Sequence, residues 1–320
     1  MTYPLTDPIS SGHLMVSDGD RIYWQTSGKA DGKPALYLHG GPGSGLGNAG
    51  YRRWFDPEQY LVVALDQRGC GRSRPLVIDA LDRIQTNTTE RLIADIEELR
   101  EHLGIEQWLV SGASWGSTLA LAYAQAHPTR VSEIVLYAVT TTSREEVTWI
   151  TETVGAIFPE AWEAFAKASD RAEGERIVEA YARRMREGDA FDREQAAYDW
   201  GLWENTHVSL DPAWEPRPWT TDAKTQVFST LVSHYWAHDA FLTGDNAILK
   251  RMDRIAEIPG VLIHGRRDVS GPAVTAWKLH QQWPASELMI VESDGHGGAQ
   301  MTETITSVLD RFATRRAEYP

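Results

Sequence analysis

The chain has 320 residues, of which 42% are hydrophobic and 24% charged, and its formal net charge at pH 7 is −14. This composition is typical of a globular protein with a large buried core, and it excludes a disordered chain. The acidic balance excludes nucleic acid and anionic membranes as expected partners, because both bind basic surfaces.

Strand patterns dominate the first 140 residues and alternate with glycine-rich loops. They cover residues 21–27, 35–39, 60–66, 108–110 and 131–139. The first alternates like an edge strand, and the later ones are continuous and apolar, as in strands covered on both faces. An amphipathic helix is predicted from about Thr88 to Leu103, with Asn87 and Glu90 spaced to cap its start. This order of elements predicts an α/β fold with a mostly parallel, doubly wound sheet.

The pattern changes between about Thr141 and Asn246, where strand signals stop and helical patterns begin. Tryptophans accumulate there, namely Trp149, Trp162, Trp200, Trp203, Trp214, Trp219 and Trp236. Prolines at positions 212, 216 and 218 mark a loop within this stretch. We predict a helical cap domain of residues 141–246, inserted into a core domain of residues 1–140 and 247–320. The later core elements are strands at 260–264 and 287–291 and helices at about 274–283 and 303–313.

A Gly-x-Ser-x-Gly motif, Gly112 to Gly116, directly follows one of the buried strands and precedes a helical pattern. Between a strand and a helix this motif is typical of a nucleophile elbow, a sharp turn that leaves its central serine hydroxyl exposed. The two glycines remove the side chains that would collide where strand and helix meet. The motif therefore predicts Ser114 as a nucleophile, whereas an ordinary glycine and serine loop is the alternative.

A serine hydroxyl is a weak nucleophile and needs a base and an orienting carboxylate. Asp268 follows one late strand and His296 follows the next, which gives the chain order serine, aspartate, histidine that suits this kind of sheet. We predict Ser114, Asp268 and His296 as the catalytic residues. Asp294 is the alternative acid, but it lies only two residues before His296 and would have to fold back.

A tetrahedral intermediate also needs hydrogen-bond donors for its negatively charged oxygen. One predicted donor is the backbone amide of Trp115, directly after the serine and at the start of a helix. The other is the amide of Gly41, within the glycine-rich loop 39–43. We expect neither a metal nor another cofactor.

These motifs together resemble the proline iminopeptidase family of α/β-hydrolases. The resemblance runs from about Asp18 to His296 and is carried by the motifs at residues 39–43, 66–73, 112–121, 200–204, 264–268 and 295–296. It implies an α/β-hydrolase fold with a helical cap inserted after the sixth strand, and a cap that admits only the N-terminal end of a peptide. It further implies the triad Ser114, Asp268 and His296, and Glu204 as the group that binds the substrate's free amine.

Three positions depart from the pattern of that family. Val232 stands where the family has a second amine-binding glutamate, and Tyr137 and Thr140 replace an arginine and an aromatic residue. A negative and a positive group are thus missing together, which keeps the charge of the pocket balanced. The preferred substrate residue is therefore open.

The sequence favours a serine aminopeptidase that releases an N-terminal proline or small apolar residue from peptides through an acyl-enzyme. An amidase or esterase of the same family for another small acyl compound is the alternative, and a binding protein on a hydrolase scaffold is the third hypothesis.

We expect a cytoplasmic protein, because the chain has a single cysteine, Cys70, no membrane-spanning apolar run and no secretory leader pattern. Cys70 is expected to be a packing residue. Oligomeric state is not predicted.

Overall fold

A computed structural model describes residues 2–208, 210 and 220–314. Within these residues, eight strands form one sheet in the order β1-β2-β4-β3-β5-β6-β7-β8. The strands are β1 (Ser10–Met15), β2 (Arg21–Gly28), β3 (Lys33–Leu38), β4 (Tyr60–Leu65), β5 (Trp108–Ala113), β6 (Val131–Tyr137), β7 (Gly260–Gly265) and β8 (Ser286–Val291). The pairs β1–β2 and β2–β4 are antiparallel, and every later pair is parallel. The predicted α/β class with a mostly parallel sheet is confirmed.

Helices cover both faces of this sheet. They are α1 (Thr89–His102), α2 (Trp115–Ala126), α3 (Arg144–Thr151), α4 (Pro159–Ala168), α5 (Ile177–Glu187), α6 (Ala190–His207), α7 (Ala223–Ala237), α8 (Val274–Gln281) and α9 (Ala299–Ala313). One apolar cluster joins the sheet to α1, α2 and α8, and another joins it to α9. Because the central strands are buried on both faces, they carry continuous apolar runs rather than alternation.

Helices α3 to α7 lie between β6 and β7 and enclose an apolar cluster of their own. Its centre is aromatic: Phe165 stacks on Tyr181 at 4.7 Å and on Trp203 at 5.0 Å between ring centroids. Trp200 meets Tyr181 edge-on at 5.3 Å. The tryptophans of this stretch thus form a core, although Trp214, Trp219 and the predicted proline loop lie outside the described residues.

Two local predictions were wrong. The strand predicted at the edge, β2, is second in the sheet, because β1 pairs outside it. β1 is mostly exposed and has no apolar alternation, so its sequence carries no strand signal. The cap of α1 is Thr88, whose hydroxyl accepts from the Arg91 amide at 3.2 Å, and not the Asn87 and Glu90 pair. Among the described residues, every helix is too short or too polar to span a lipid bilayer.

Candidate active site

Ser114 occupies the turn between β5 and α2 with backbone angles φ 53° and ψ −123°, a conformation that side chains rarely adopt. The chain can turn this sharply because two glycines bring backbones together. A Cβ on Gly112 would lie 2.2 Å from the Gly116 carbonyl oxygen, and one on Gly116 would lie 2.1 Å from that of Leu38. The Ser114 amide donates to the Tyr137 carbonyl at 3.1 Å, which ties the turn to β6. The geometry is that of the predicted elbow.

Asp268 and His296 come from the loops after β7 and β8, and the structure joins them directly. His296 Nδ1 donates to Asp268 Oδ2 at 2.8 Å, while the Gly271 amide donates to Asp268 Oδ1 at 3.0 Å. Both carboxylate oxygens therefore have fixed partners, and the imidazole is held in one orientation.

The alternative acid, Asp294, serves another purpose. Its Oδ2 accepts from the Met301 amide at 2.7 Å, and its Oδ1 accepts from the Ser293 hydroxyl at 2.6 Å. Asp294 therefore holds the first turn of α9, and it is Asp268 that bonds the His296 ring.

The two members of this pair shift each other's pKa. Burial would raise the pKa of Asp268, but the charge and hydrogen bond of His296, together with the charge of His264 and the Gly271 amide, outweigh burial, so the pKa is lowered. Burial would lower the pKa of His296, but attraction by Asp268, and further by Glu204, raises it. A carboxylate that remains ionised beside an imidazole that readily accepts a proton is what a general base requires.

Ser114 and His296 line the same two cavities, which we call the inner and outer lobes. The inner lobe, about 40 Å³, is bordered by Thr140, Thr142, Glu146, Val147 and Ile150. The outer lobe, about 720 Å³, is bordered by Glu204, Asn205, Val208, Lys224 and Phe228. Gly41, Trp236 and Ser270 border both lobes.

No hydrogen bond joins the Ser114 hydroxyl to the His296 ring among the described residues, although both groups border one cavity. Catalytic hydrogen bonds are commonly long without substrate and tighten in the reacting complex. The placement therefore agrees with a nucleophile and a base that border one substrate site.

The two predicted oxyanion donors lie beside the serine. Gly41 borders both lobes, and Trp115 borders the inner lobe. Gly41 has φ +110°, and a Cβ there would lie 2.7 Å from the Gly43 nitrogen, so the loop requires glycine at this position.

A hydrogen-bonded bridge connects the loop of Gly41 with the elbow, and sequence analysis did not foresee it. The side chain of Gln67 accepts from Trp115 Nε1 at 2.8 Å and donates to the His39 carbonyl at 2.9 Å. The Gln67 amide donates to His39 Nε2 at 3.1 Å, and His39 Nδ1 donates to the Gly40 carbonyl at 2.9 Å. The one available signal was the glycine loop at 66–73, which follows a strand adjacent to that of the 39–43 loop.

The 66–73 loop is itself anchored by buried charge. The Arg68 guanidinium bonds Asp95 Oδ1 at 2.7 Å, Asp18 Oδ2 at 2.9 Å and Asp20 Oδ2 at 2.9 Å. Cys70, within the same loop, is fully buried and donates to the Gln67 carbonyl at 3.1 Å. Burial raises the pKa of its thiol, which agrees with the packing role expected for it.

Glu204 lies on α6 with its side chain 13% exposed and borders the outer lobe together with Ser114. Trp200 Nε1 donates to its Oε1 at 2.9 Å. Burial raises the pKa of this carboxyl to about 7, against the hydrogen bond of Trp200 and the attraction of His296, which lower it. A buried carboxyl beside the serine can bind a cationic amine, whose charge would replace the lost hydration.

The three departures from the family pattern take different places. Val232 is fully buried in the apolar cluster of the helices α3 to α7, and Tyr137 is buried at the end of β6. Thr140 borders the inner lobe and donates to Glu146 Oε1 at 3.0 Å.

No group of three or more metal-binding side chains occurs in the described part of the chain.

Comparisons with known proteins agree with this fold. The model of the alpha/beta hydrolase fold family matches residues 33–299. A probable proline iminopeptidase of Streptomyces coelicolor is 42% identical over 316 residues, 97% of this chain and 97% of that protein. A proline iminopeptidase of Arabidopsis thaliana is 42% identical over 297 residues, 92% of this chain and 77% of that protein.

Among solved structures, an esterase of Exiguobacterium antarcticum is similar with a TM-score of 0.63 over 96% of this chain and 100% of that one. Its sequence is 20% identical, so this likeness supports the fold alone. Sequence identity near 40% over almost the full length carries the narrower assignment: this chain belongs to the proline iminopeptidase family of α/β-hydrolases.

Proposed function

We propose that this protein is a serine aminopeptidase that removes an N-terminal proline or small apolar residue from short peptides. The observation that carries the proposal is the shared cavity. Ser114, the Asp268-bound His296 and the buried carboxyl of Glu204 all border or face it. A nucleophile, an oriented base and an anionic group within one pocket suit a substrate whose reacting carbonyl lies close to a free amine.

In the proposed reaction, the Ser114 hydroxyl attacks the carbonyl carbon and His296 Nε2 takes its proton. Asp268 holds the ring and stabilises its positive charge. The amides of Gly41 and Trp115 donate to the oxygen of the tetrahedral intermediate. His296 then gives its proton to the departing amine, and water releases the acyl group from Ser114 by the same steps.

Glu204 selects the substrate in this scheme. The α-amine of a peptide has a pKa near 8 and is mostly cationic at neutral pH. An ionised Glu204 would pair with it, and the ammonium charge would in turn favour the ionised carboxylate. Substrates with a blocked amino terminus should therefore bind poorly.

The test is hydrolysis of prolyl-β-naphthylamide and alanyl-β-naphthylamide by the purified protein, compared with N-acetylated forms of both. We expect release of the free amino acid from the unblocked compounds alone and its loss in Ser114→Ala. Turnover that survives in Ser114→Ala, or equal turnover of blocked and free compounds, would contradict the proposal. A fluorophosphonate probe should label Ser114, and failure to label it would favour a non-catalytic binding protein.

An amidase or esterase for another small acyl compound is the second candidate. Two departures from the family pattern favour it. Thr140, at the border of the inner lobe, stands in place of an aromatic residue, and Val232 stands in place of the second amine-binding glutamate. Turnover of acetyl or butyryl esters, with no turnover of any free-amine substrate, would select this candidate.

We also propose that residues 141–246 act as a cap domain over a core of residues 1–140 and 247–320. Support comes from α3, α6 and α7, which contribute Ile150, Glu204 and Trp236 to the borders of the two lobes. We also propose the cytoplasm as the compartment, because a sequence with a single cysteine suits a reducing environment.

A further inference from the structure

His207, the last residue of α6, is a buried polar side chain without hydrogen bonds to the described residues. Its side chain is 1% exposed, and neither ring nitrogen has a hydrogen-bond partner among the described residues. The ring packs against Trp203 at 5.5 Å between centroids. Burying polar atoms without partners destabilises a protein, and an apolar side chain would fill the same space without that cost. Packing alone therefore does not account for a histidine here.

The carboxylate of Glu204, one helical turn earlier, lies close to this ring. His207 Nε2 lies 3.5 Å from Glu204 Oε2, while Trp200 Nε1 donates to Glu204 Oε1 at 2.9 Å. The two carboxylate oxygens thus face two ring nitrogens from neighbouring turns of one helix. The longer contact becomes a hydrogen bond if one of the two side chains moves closer and aligns the N–H with the oxygen.

Charged groups also reach His207 from the core. Burial is the largest cause of the low pKa of His207, which falls to about 3; His296 lowers this pKa further and Asp268 raises it. The imidazole is therefore neutral at any pH at which the protein would work. It can donate one N–H without adding a positive charge to the site.

We propose that His207 is a positioning residue for recognition of the substrate's ammonium group, donating its Nε2–H to Glu204 Oε2 once that ammonium holds the carboxylate ionised. The carboxylate would then be fixed by Trp200 on one oxygen and by His207 on the other. This inference rests on the proposed aminopeptidase function.

The valine at position 232 explains why a neutral hydrogen-bond donor suits this site. With Val232 in the apolar cluster, Glu204 faces the ammonium without a second carboxylate from that position. One carboxylate balances one ammonium, so the site needs orientation rather than more charge. A neutral donor supplies orientation and leaves the charge balance unchanged.

The experiment compares His207→Leu with His207→Gln, because the glutamine amide can place a donor near the position of Nε2. We expect His207→Leu to raise the KM for prolyl-β-naphthylamide roughly tenfold or more with little change in kcat, as for loss of one hydrogen bond to a charged group. His207→Gln should restore most of that loss. Labelling of Ser114 by a fluorophosphonate, which carries no amine, should proceed at the same rate in all variants.

A double-variant cycle with Glu204→Gln separates positioning from packing. If His207 acts through Glu204, His207→Leu should add nothing further in the Glu204→Gln background. An unchanged KM in His207→Leu, an additive cycle, or slower fluorophosphonate labelling would overturn the inference. If His207→Leu does not fold, the same measurements are made on His207→Phe, which keeps a ring against Trp203. Failure of the wild type to cleave any unblocked naphthylamide would instead refute the proposed function.

Discussion

Replacement of Glu204 by glutamine should stabilise the protein while removing its selectivity. Burial holds the pKa of this carboxyl at about 7, against an ordinary value of 4.5. Because the folded state binds this proton more tightly than the unfolded state, ionisation of the carboxyl destabilises the fold. The sign is the reverse of the usual one for a paired carboxylate.

The size of the effect follows from the two pKa values. Below about pH 4.5 the carboxyl is protonated in both states, and the wild type carries no penalty. The penalty grows as the pH rises to about 7 and then stays constant, at roughly 3 kcal/mol, since each pH unit between the two pKa values is worth about 1.4 kcal/mol. Glutamine never ionises, and its side-chain oxygen can still accept from Trp200 Nε1.

The assay is urea denaturation of the wild type and Glu204→Gln at pH 5 and pH 8. We expect the variant to gain stability at pH 8, by up to roughly 3 kcal/mol, and to gain little at pH 5. The kcat/KM for prolyl-β-naphthylamide should fall at least tenfold, the effect of losing one charged hydrogen bond. Glu204 ionises as the pH rises through about 7, so the wild-type KM should decrease over that range, and this decrease should vanish in the variant.

Glu194→Gln, near the start of the same helix, is the matched control and should change neither property. An equal stability change at both pH values would refute the argument that a buried charge is responsible. A variant that hydrolyses free-amine substrates as well as the wild type would refute the role of Glu204 in binding the amine.

Further predictions concern the catalytic pair, the bridge and the elbow. Asp268→Asn should lower kcat by about 10⁴-fold, because the ring loses its orienting partner, and circular dichroism should show the fold retained. Activity of the wild type should fall on acidification through the pKa of His296, which lies above its ordinary value, because only the neutral ring accepts a proton. Gln67→Leu should reduce kcat by roughly 10-fold to 100-fold with little change in KM, since it frees the loop of one oxyanion donor; a change in KM alone would contradict this. Gly116→Ala should yield little folded protein, because the new methyl would meet the Leu38 carbonyl oxygen at 2.1 Å, whereas normal thermal unfolding would show that the elbow tolerates a side chain.

The sequence predicted the elements whose signals are local. The elbow is recognisable because a strand, a one-residue turn at Ser114 and a helix are consecutive in the chain, and Gly112 and Gly116 are required by contacts that any such turn makes. The loops after β7 and β8 could be assigned because parallel strands end at one edge of a sheet. Asp268 and His296 then had to lie near each other.

Other features were decided by contacts between distant segments. Strand β1 forms only because its backbone pairs with β2, and its side chains give no sign of it. Gln67 connects His39 with Trp115, two residues far from it in the chain, which a pattern within one loop cannot reveal.

The sequence by itself determined the α/β class, the family and which residue types follow which strands, since these depend on periodicity and on short motifs. Only the tertiary structure decided that His207 is buried and that Glu204 is largely buried, because burial is set by the packing of helices that are far apart in the chain. The same packing shifts their pKa values from those of free side chains, and a pKa shift depends on the surroundings of a group and not on its neighbours in sequence.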